Sequence, residues 1–190
     1  MRKRGYTLTE MLVGMILTCM LILFGLFLFS TSLNSMRRTD VKIDLQDQNS
    51  MIVRKIGEEL RSAVNVQITS DGKQITYELP KKNTFTDPIT GEYEYVDPMV
   101  GDGIERAYFF ENGNLYYQPE PGKFRLVVSG VLEKDPEESS SYYNMSYPIF
   151  SYTNIGSTNG LKIMLILEGN APVKKEHSRM STTVMLRNVK

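Results

Sequence analysis

A chain of 190 residues has room for one membrane segment and one modest domain, and its 22 basic and 22 acidic side chains leave no net charge to draw in a polyanion. A single histidine and a single cysteine exclude a Cys/His zinc cluster, and no serine elbow or phosphate loop is present, so the sequence offers no recognisable catalytic centre. Because Cys19 lies inside an apolar run, the rest of the chain must stand on its hydrophobic core rather than on disulfides.

The chain starts with three basic residues, Arg2, Lys3 and Arg4, then Gly5, then Tyr6-Thr7-Leu8-Thr9 and the acid Glu10. From Met11 to Phe29 nineteen residues carry no charge. About 20 apolar residues at 1.5 Å rise cross the roughly 30 Å hydrocarbon core of a bilayer, so Leu8 to Phe29 is long enough to span. In lipid such a segment must be helical, because unpaired backbone groups find no water there. The basic tripeptide predicts a cytoplasmic N-terminus with residues 30–190 on the far side, a bias that Arg37 and Arg38 oppose without reversing. A cleaved secretory signal fits less well: its apolar core is shorter, and although Ser30-Thr31-Ser32 could serve as a small-residue cleavage site, an acid at the entrance is foreign to that pattern. A carboxylate well inside a bilayer costs a few kcal/mol, so Glu10 stands to gain from a cationic partner.

The segment Gly5-Tyr6-Thr7-Leu8-Thr9-Glu10, with basic residues before it and an apolar helix after it, resembles the cleavage and methylation signature of type IV pilins and type II secretion pseudopilins. Tyr6 stands where that family usually has phenylalanine, and Thr9 where it usually has an apolar residue. The resemblance implies that a membrane-embedded prepilin peptidase cuts between Gly5 and Tyr6, methylates the new amine of Tyr6 and leaves the helix in place. It implies a structural filament subunit, a minor pilin or minor pseudopilin, rather than an enzyme. Its partners would be other pilin subunits through the N-terminal helix, the prepilin peptidase, the cytoplasmic membrane and the pilus assembly platform. Glu10 would act in assembly by pairing with a Tyr6 ammonium, on its own helix or on a neighbour shifted along the axis. The parts are then a leader at 1–5, a membrane and filament-core helix at 6–29, an amphipathic continuation at 30–64 and an extracytoplasmic β-rich head at 65–190. Loss of the leader would leave 19 basic against 22 acidic side chains.

Residues 30–64 continue the helix, with no proline before Pro80. Apolar residues recur at Leu45, Ile52, Ile56, Leu60 and Ala63 or Val64, one stripe at helical spacing. Arg54, Lys55, Glu58, Glu59 and Arg61 occupy the opposite face, where Arg54 and Glu58, and Lys55 and Glu59, are spaced as i,i+4 pairs. Beyond Val64 the period becomes 2. Residues 64–68 and 74–79 flank Asp71-Gly72 as a hairpin. Residues 80–105, with Pro80, Pro88, Pro98 and three glycines, read as a loop-rich excursion. Asn112-Gly113 turns a second hairpin between 106–110 and 115–118. Lys123 to Leu132 reads as a strand, Lys134 to Ser141 as an acidic, serine-rich mobile stretch, and 149–152, 161–167 and 181–186 as three further strands. The expected fold class is α+β, a long helix packed on an antiparallel sheet. The ending Thr182 to Asn188 adds to the resemblance, since minor pilins and J-type pseudopilins often finish in a strand followed by Arg-Asn.

No cofactor is expected. Asp97, Asp102 and Glu105, on a glycine-containing loop, are a weak calcium candidate that matches no known spacing. His177, in a polar segment, reads as a surface residue. The many tyrosines of the β region divide between core packing and interaction surfaces. Nucleic-acid capture by stacking is disfavoured by the want of a basic groove. The alternative to a filament subunit is a membrane-anchored extracytoplasmic binding or sensor module, which would leave Gly5 and Glu10 without a purpose.

Overall fold

The computed structural model describes residues 7–87, 91–155, 158–172 and 174–186, with the backbone alone at 84–87, 92–99, 154–155 and 158–159. Helix α1 (Leu8–Arg61) is a single rod of 54 residues, about 81 Å long at 1.5 Å per residue. Thr7 caps its start and Ser62 its end, and no proline interrupts it. Its two halves obey different rules. Every side chain from Leu8 to Phe29 is exposed, while the C-terminal half buries Leu45, Asn49, Val53, Ile56, Gly57 and Leu60 on one stripe.

Among the described residues ten strands follow: β1 (Val64–Ile68), β2 (Gln74–Glu78), β3 (Pro80–Asp87), β4 (Gly91–Gly101), β5 (Arg106–Glu111), β6 (Asn114–Glu120), β7 (Lys123–Ser129), β8 (Phe150–Ile155), β9 (Thr158–Asn170) and β10 (Lys175–Met185). They form a five-stranded sheet in the order β1-β2-β5-β6-β7, a three-stranded sheet in the order β10-β9-β8 and the two-stranded ribbon β3-β4, all antiparallel. The fold is therefore α+β, a long helix preceding and packing on an antiparallel head.

Two seams join the larger sheets. At the first, Phe150 N donates to Gly72 O (2.9 Å) and the Tyr152 hydroxyl donates to Val66 O (2.9 Å). Gly72 has φ +67°, and a Cβ on it would lie 2.5 Å from Pro148 Cβ, so the Asp71-Gly72 turn needs glycine for its conformation and for the close approach of the second sheet. At the other seam, residues 130–132 bridge the sheets: Val131 N donates to Gly113 O, Leu132 N to Ile166 O and Glu168 N to Gly130 O.

The core lies where the helix stripe meets both sheets. It gathers Val53, Ile56 and Leu60 with Ile75, Tyr77, Tyr108, Leu115, Phe150, Leu161, Ile163 and Leu165. The central strand β9 is buried on both faces from Ile163 to Leu167, and the helix packs on it. The connection from 131 to 149 closes the edge of β9 beyond its pairing with β8: Met164 N donates to Ile149 O (2.8 Å), and Ile166 N donates to the hydroxyl of the buried Tyr147 (3.2 Å).

Several expectations are corrected. The 80–105 excursion is the β3-β4 ribbon, paired from Lys81–Asp97 to Asp87–Gly91 with a register slip after Pro80. A two-stranded ribbon has free edges, so prolines are tolerated at its first residue and beside its slip, and the alternation around Phe85 and Tyr93 prevails over the breakers. The 134–141 stretch is anchored at one end, where Asp135 is fully buried against Arg179 of β10 (3.2 Å), while residues 136–139 are exposed. Strands β8, β9 and β10 are longer than the 149–152, 161–167 and 181–186 readings, since polar residues such as Lys175 and His177 pair in register with Asn170 and Glu168. On the helix, Asn49, Val53 and Gly57 join the buried stripe and Ile52 is only half-buried. Arg54 and Glu58 do pair (2.8 Å), but Glu59 turns inward to tyrosines rather than to Lys55.

Candidate functional site

The candidate site is the N-terminal half of α1. Its first turn is a capping box: Glu10 N donates to Thr7 Oγ1 (3.4 Å), and Thr7 N donates back to Glu10 Oε2 (2.9 Å). The Thr7 hydroxyl also donates to Glu10 Oε2 (3.0 Å). The sequence carried this signal as Thr7-x-x-Glu10, although Glu10 was read only as an assembly residue. The cap folds the carboxylate toward the N-terminal end of the helix, and these contacts engage Oε2 alone. Gly5, Tyr6 and the 1–5 leader lie outside the described residues, as do Arg187 and Asn188.

From Met11 to Phe29 the helix offers a bare apolar surface on every side, from 51% exposure at Ile16 and Leu28 to 71% at Met15 and Leu21. It is the one helix among the described residues long and apolar enough to cross a membrane. Two of its hydroxyls are satisfied within the helix: those of Thr18 and Thr31 donate to the carbonyls of Gly14 (2.8 Å) and Phe27 (2.9 Å) four residues back. In hydrocarbon, where an unpaired hydroxyl is costly, that arrangement removes the penalty. Cys19 is exposed on the same apolar surface.

The C-terminal half is held to the head by polar contacts inside an apolar seam. Asn49, fully buried, donates through its amide to Leu165 O (3.0 Å) on β9 and to Ser178 O (2.9 Å) on β10. Gly57 allows β10 to approach, since a Cβ there would stand 3.2 Å from Val184 Cγ2. Near the helix end, Glu59 accepts from the hydroxyls of Tyr108 (2.6 Å) and Tyr117 (2.9 Å), while the buried Tyr77 stacks on Tyr108. Burial first, and then the hydrogen bonds to the Glu59 carboxylate, push the Tyr108 and Tyr117 hydroxyls up, so both remain neutral donors. Lower on the rod, Arg38 donates to Glu176 through Nε (2.9 Å) and Nη2 (2.5 Å).

The remaining candidates disperse. Asp102 receives Arg106 Nη1 (3.1 Å) and Nη2 (2.8 Å), a guanidinium grip that works against a cation at the same carboxylate. Glu105 is exposed, the side chain of Asp97 lies outside the described ones, and no group of three or more His, Cys, Asp or Glu suited to a metal occurs among the described residues. His177 is exposed on β10. Of the tyrosines, Tyr77, Tyr108, Tyr117 and Tyr147 are core, whereas Tyr143 and Tyr152 are exposed. On the outer face of the five-stranded sheet Phe109, Tyr116 and Phe124 pack together, with Phe124 66% exposed and edge-on to the Tyr116 ring at 5.8 Å. No family model, no curated protein and no solved structure matches the chain.

Proposed function

We propose that the chain is a structural subunit of a type IV pilus or a related secretion filament, a minor pilin that initiates or caps assembly after its leader is removed. The observation that carries this reading is the division of α1: an apolar half bare on all sides and headed by a single capped carboxylate, continued without a break into a half whose stripe is buried by a β head. An apolar surface with no internal partner needs lipid or copies of itself. In this reading it has lipid first and neighbouring helices afterwards. The processed monomer waits as a single-pass protein with its N-terminus in the cytoplasm and its head outside. On extraction into the filament its helix exchanges acyl chains for other helices. Glu10 keeps a use throughout. Cleavage after Gly5 creates an ammonium on Tyr6, beside the Thr7 cap toward which the carboxylate already turns. An intermolecular pair between that amine and Glu10 neutralises two charges that an apolar filament core penalises, and fixes the axial register between subunits.

The capping box sets up the test. Glu10→Ala is expected to leave leader removal intact and to reduce recovery of the subunit in sheared filaments at least about tenfold, the loss attending an unpaired buried charge on the neighbour. Normal recovery of the variant would remove the role given to the carboxylate.

A further inference from the structure

The junction where the rod leaves its apolar half and meets the head holds a cluster of cations that the assembly reading does not use. Ser35, Arg38, Thr39 and Lys42 share one face of α1 at i, i+3, i+4 and i+7, and with Glu176 at the start of β10 they line a polar niche of about 200 Å³. The β9-β10 hairpin comes down to this level because Leu45 packs tightly on Gly169 and Arg38 grips Glu176. Lys174, exposed and two residues before Glu176, lies near enough for its charge to act on the Glu176 carboxyl. The Glu176 carboxyl is held below its usual range by the Arg38 hydrogen bond first, and then by the charges of Arg38, Lys42 and Lys174. Three cations therefore surround one acid, and neither Lys42 nor Lys174 has an ion pair among the described residues. The Thr39 hydroxyl is spent on Ser35 O (3.0 Å), which leaves the Ser35 hydroxyl as a donor facing the niche.

The position of the niche along the rod decides what it can meet. A hydrocarbon layer of about 30 Å takes about 20 helical residues. Set to begin at Gly14, one turn inside Glu10 so that the carboxylate stays in the interface, it ends at Leu33, an exposed apolar residue followed by the exposed Met36. Ser35 then stands about 3 Å and Arg38 about 7.5 Å beyond the hydrocarbon, within an interfacial layer of roughly 5–8 Å. Side chains of a helix lean toward its N-terminus, here toward the bilayer, and lysine stems extend that reach, which brings Lys42 down to the same layer.

We propose that this niche, built from Ser35, Arg38, Lys42 and Lys174, docks the head on the phosphate groups of anionic lipids in the outer leaflet. The site rests on the single-pass reading above. It would hold the waiting monomer with its β9-β10 hairpin against the membrane, and would be vacated when the subunit leaves the bilayer. Because the niche carries a net surplus of two positive charges, it favours a lipid with net negative charge over a zwitterionic one.

The test uses the full chain reconstituted in vesicles of phosphatidylcholine with and without phosphatidylglycerol. Acetylation rates of Lys42 and Lys174 are read by mass spectrometry against Lys123 on β7. In the phosphatidylglycerol vesicles, labelling of both lysines is expected to slow about fivefold, with Lys123 unchanged and the difference lost in high salt. Equal rates in the two vesicles, or equal slowing at Lys123, overturn the site. So does the same protection from inorganic phosphate added to phosphatidylcholine vesicles, since that would mark a general anion niche. Flotation with the vesicles reports the span separately. A chain that floats with neither overturns the membrane reading and the site with it, whereas one that floats with both and labels equally overturns the site alone.

Discussion

Asp135 is fully buried and its Oδ2 lies 3.2 Å from Arg179 Nη1, while the same guanidinium nitrogen donates to Glu137 at 3.0 Å. Arg179 is itself partly exposed, so its removal does not open the core. It strands a carboxylate. Arg179→Ala is therefore expected to destabilise the protein by about 3 kcal/mol, and adding Asp135→Asn should recover at least half of that in a double-mutant denaturation cycle. Asp102 behaves differently because its partner, Arg106, is close in the chain and both are partly exposed. Hydrogen bonds from Arg106 hold the Asp102 carboxyl below its usual range. A carboxyl depressed in the folded state stabilises the fold at all pH above its ordinary value and loses that contribution as pH falls toward the depressed one. Asp102→Asn should then lower stability at neutral pH and flatten the acid limb of a stability profile, while leaving the alkaline side parallel to wild type. The two aspartates also differ in legibility. The sequence placed Asp102 in a loop and misjudged only its partner. Asp135 sat in a run of acids and serines whose composition argues for disorder, and its arginine comes from a strand that no local pattern connects to it.

At the scale of elements, the helix was readable because its two surfaces follow different patterns: an unbroken apolar run, then a stripe at helical spacing. The stripe was read too narrowly, since a buried asparagine and a buried glycine look like surface positions when only apolar residues are counted. Asn49 is inside because two strand carbonyls accept from it, and Gly57 because β10 passes within contact distance. Gly57→Leu forces β10 away from the rod and is expected to cost about 2 kcal/mol, read as a lowered urea midpoint by tyrosine fluorescence, with the apolar half of the helix unaffected. The β3-β4 ribbon was missed for the converse reason. Proline and glycine signal breaks strongly, but at a free edge they do not prevent pairing. Strand β9 was found yet not its double burial, because a continuous apolar run shows that both faces are covered without showing by what.

The whole molecule is a rod whose two halves differ in what covers them. One half carries a head that buries its stripe. The other carries an apolar surface that nothing among the described residues covers, with a capped acid at its end. The fold class and this division could be read from the sequence. The ties between helix and head, through Asn49, Glu59 and Arg38, could not, because each joins residues far apart in the chain. The central claim is that the apolar half is a retained filament helix prepared by cleavage after Gly5. The most direct test is to co-express the full chain with a prepilin peptidase, extract it from membranes and determine its N-terminus by sequencing and mass. The account predicts methylated Tyr6 as the first residue with the helix intact; Met1 still in place, or a first residue beyond Phe29, would contradict it.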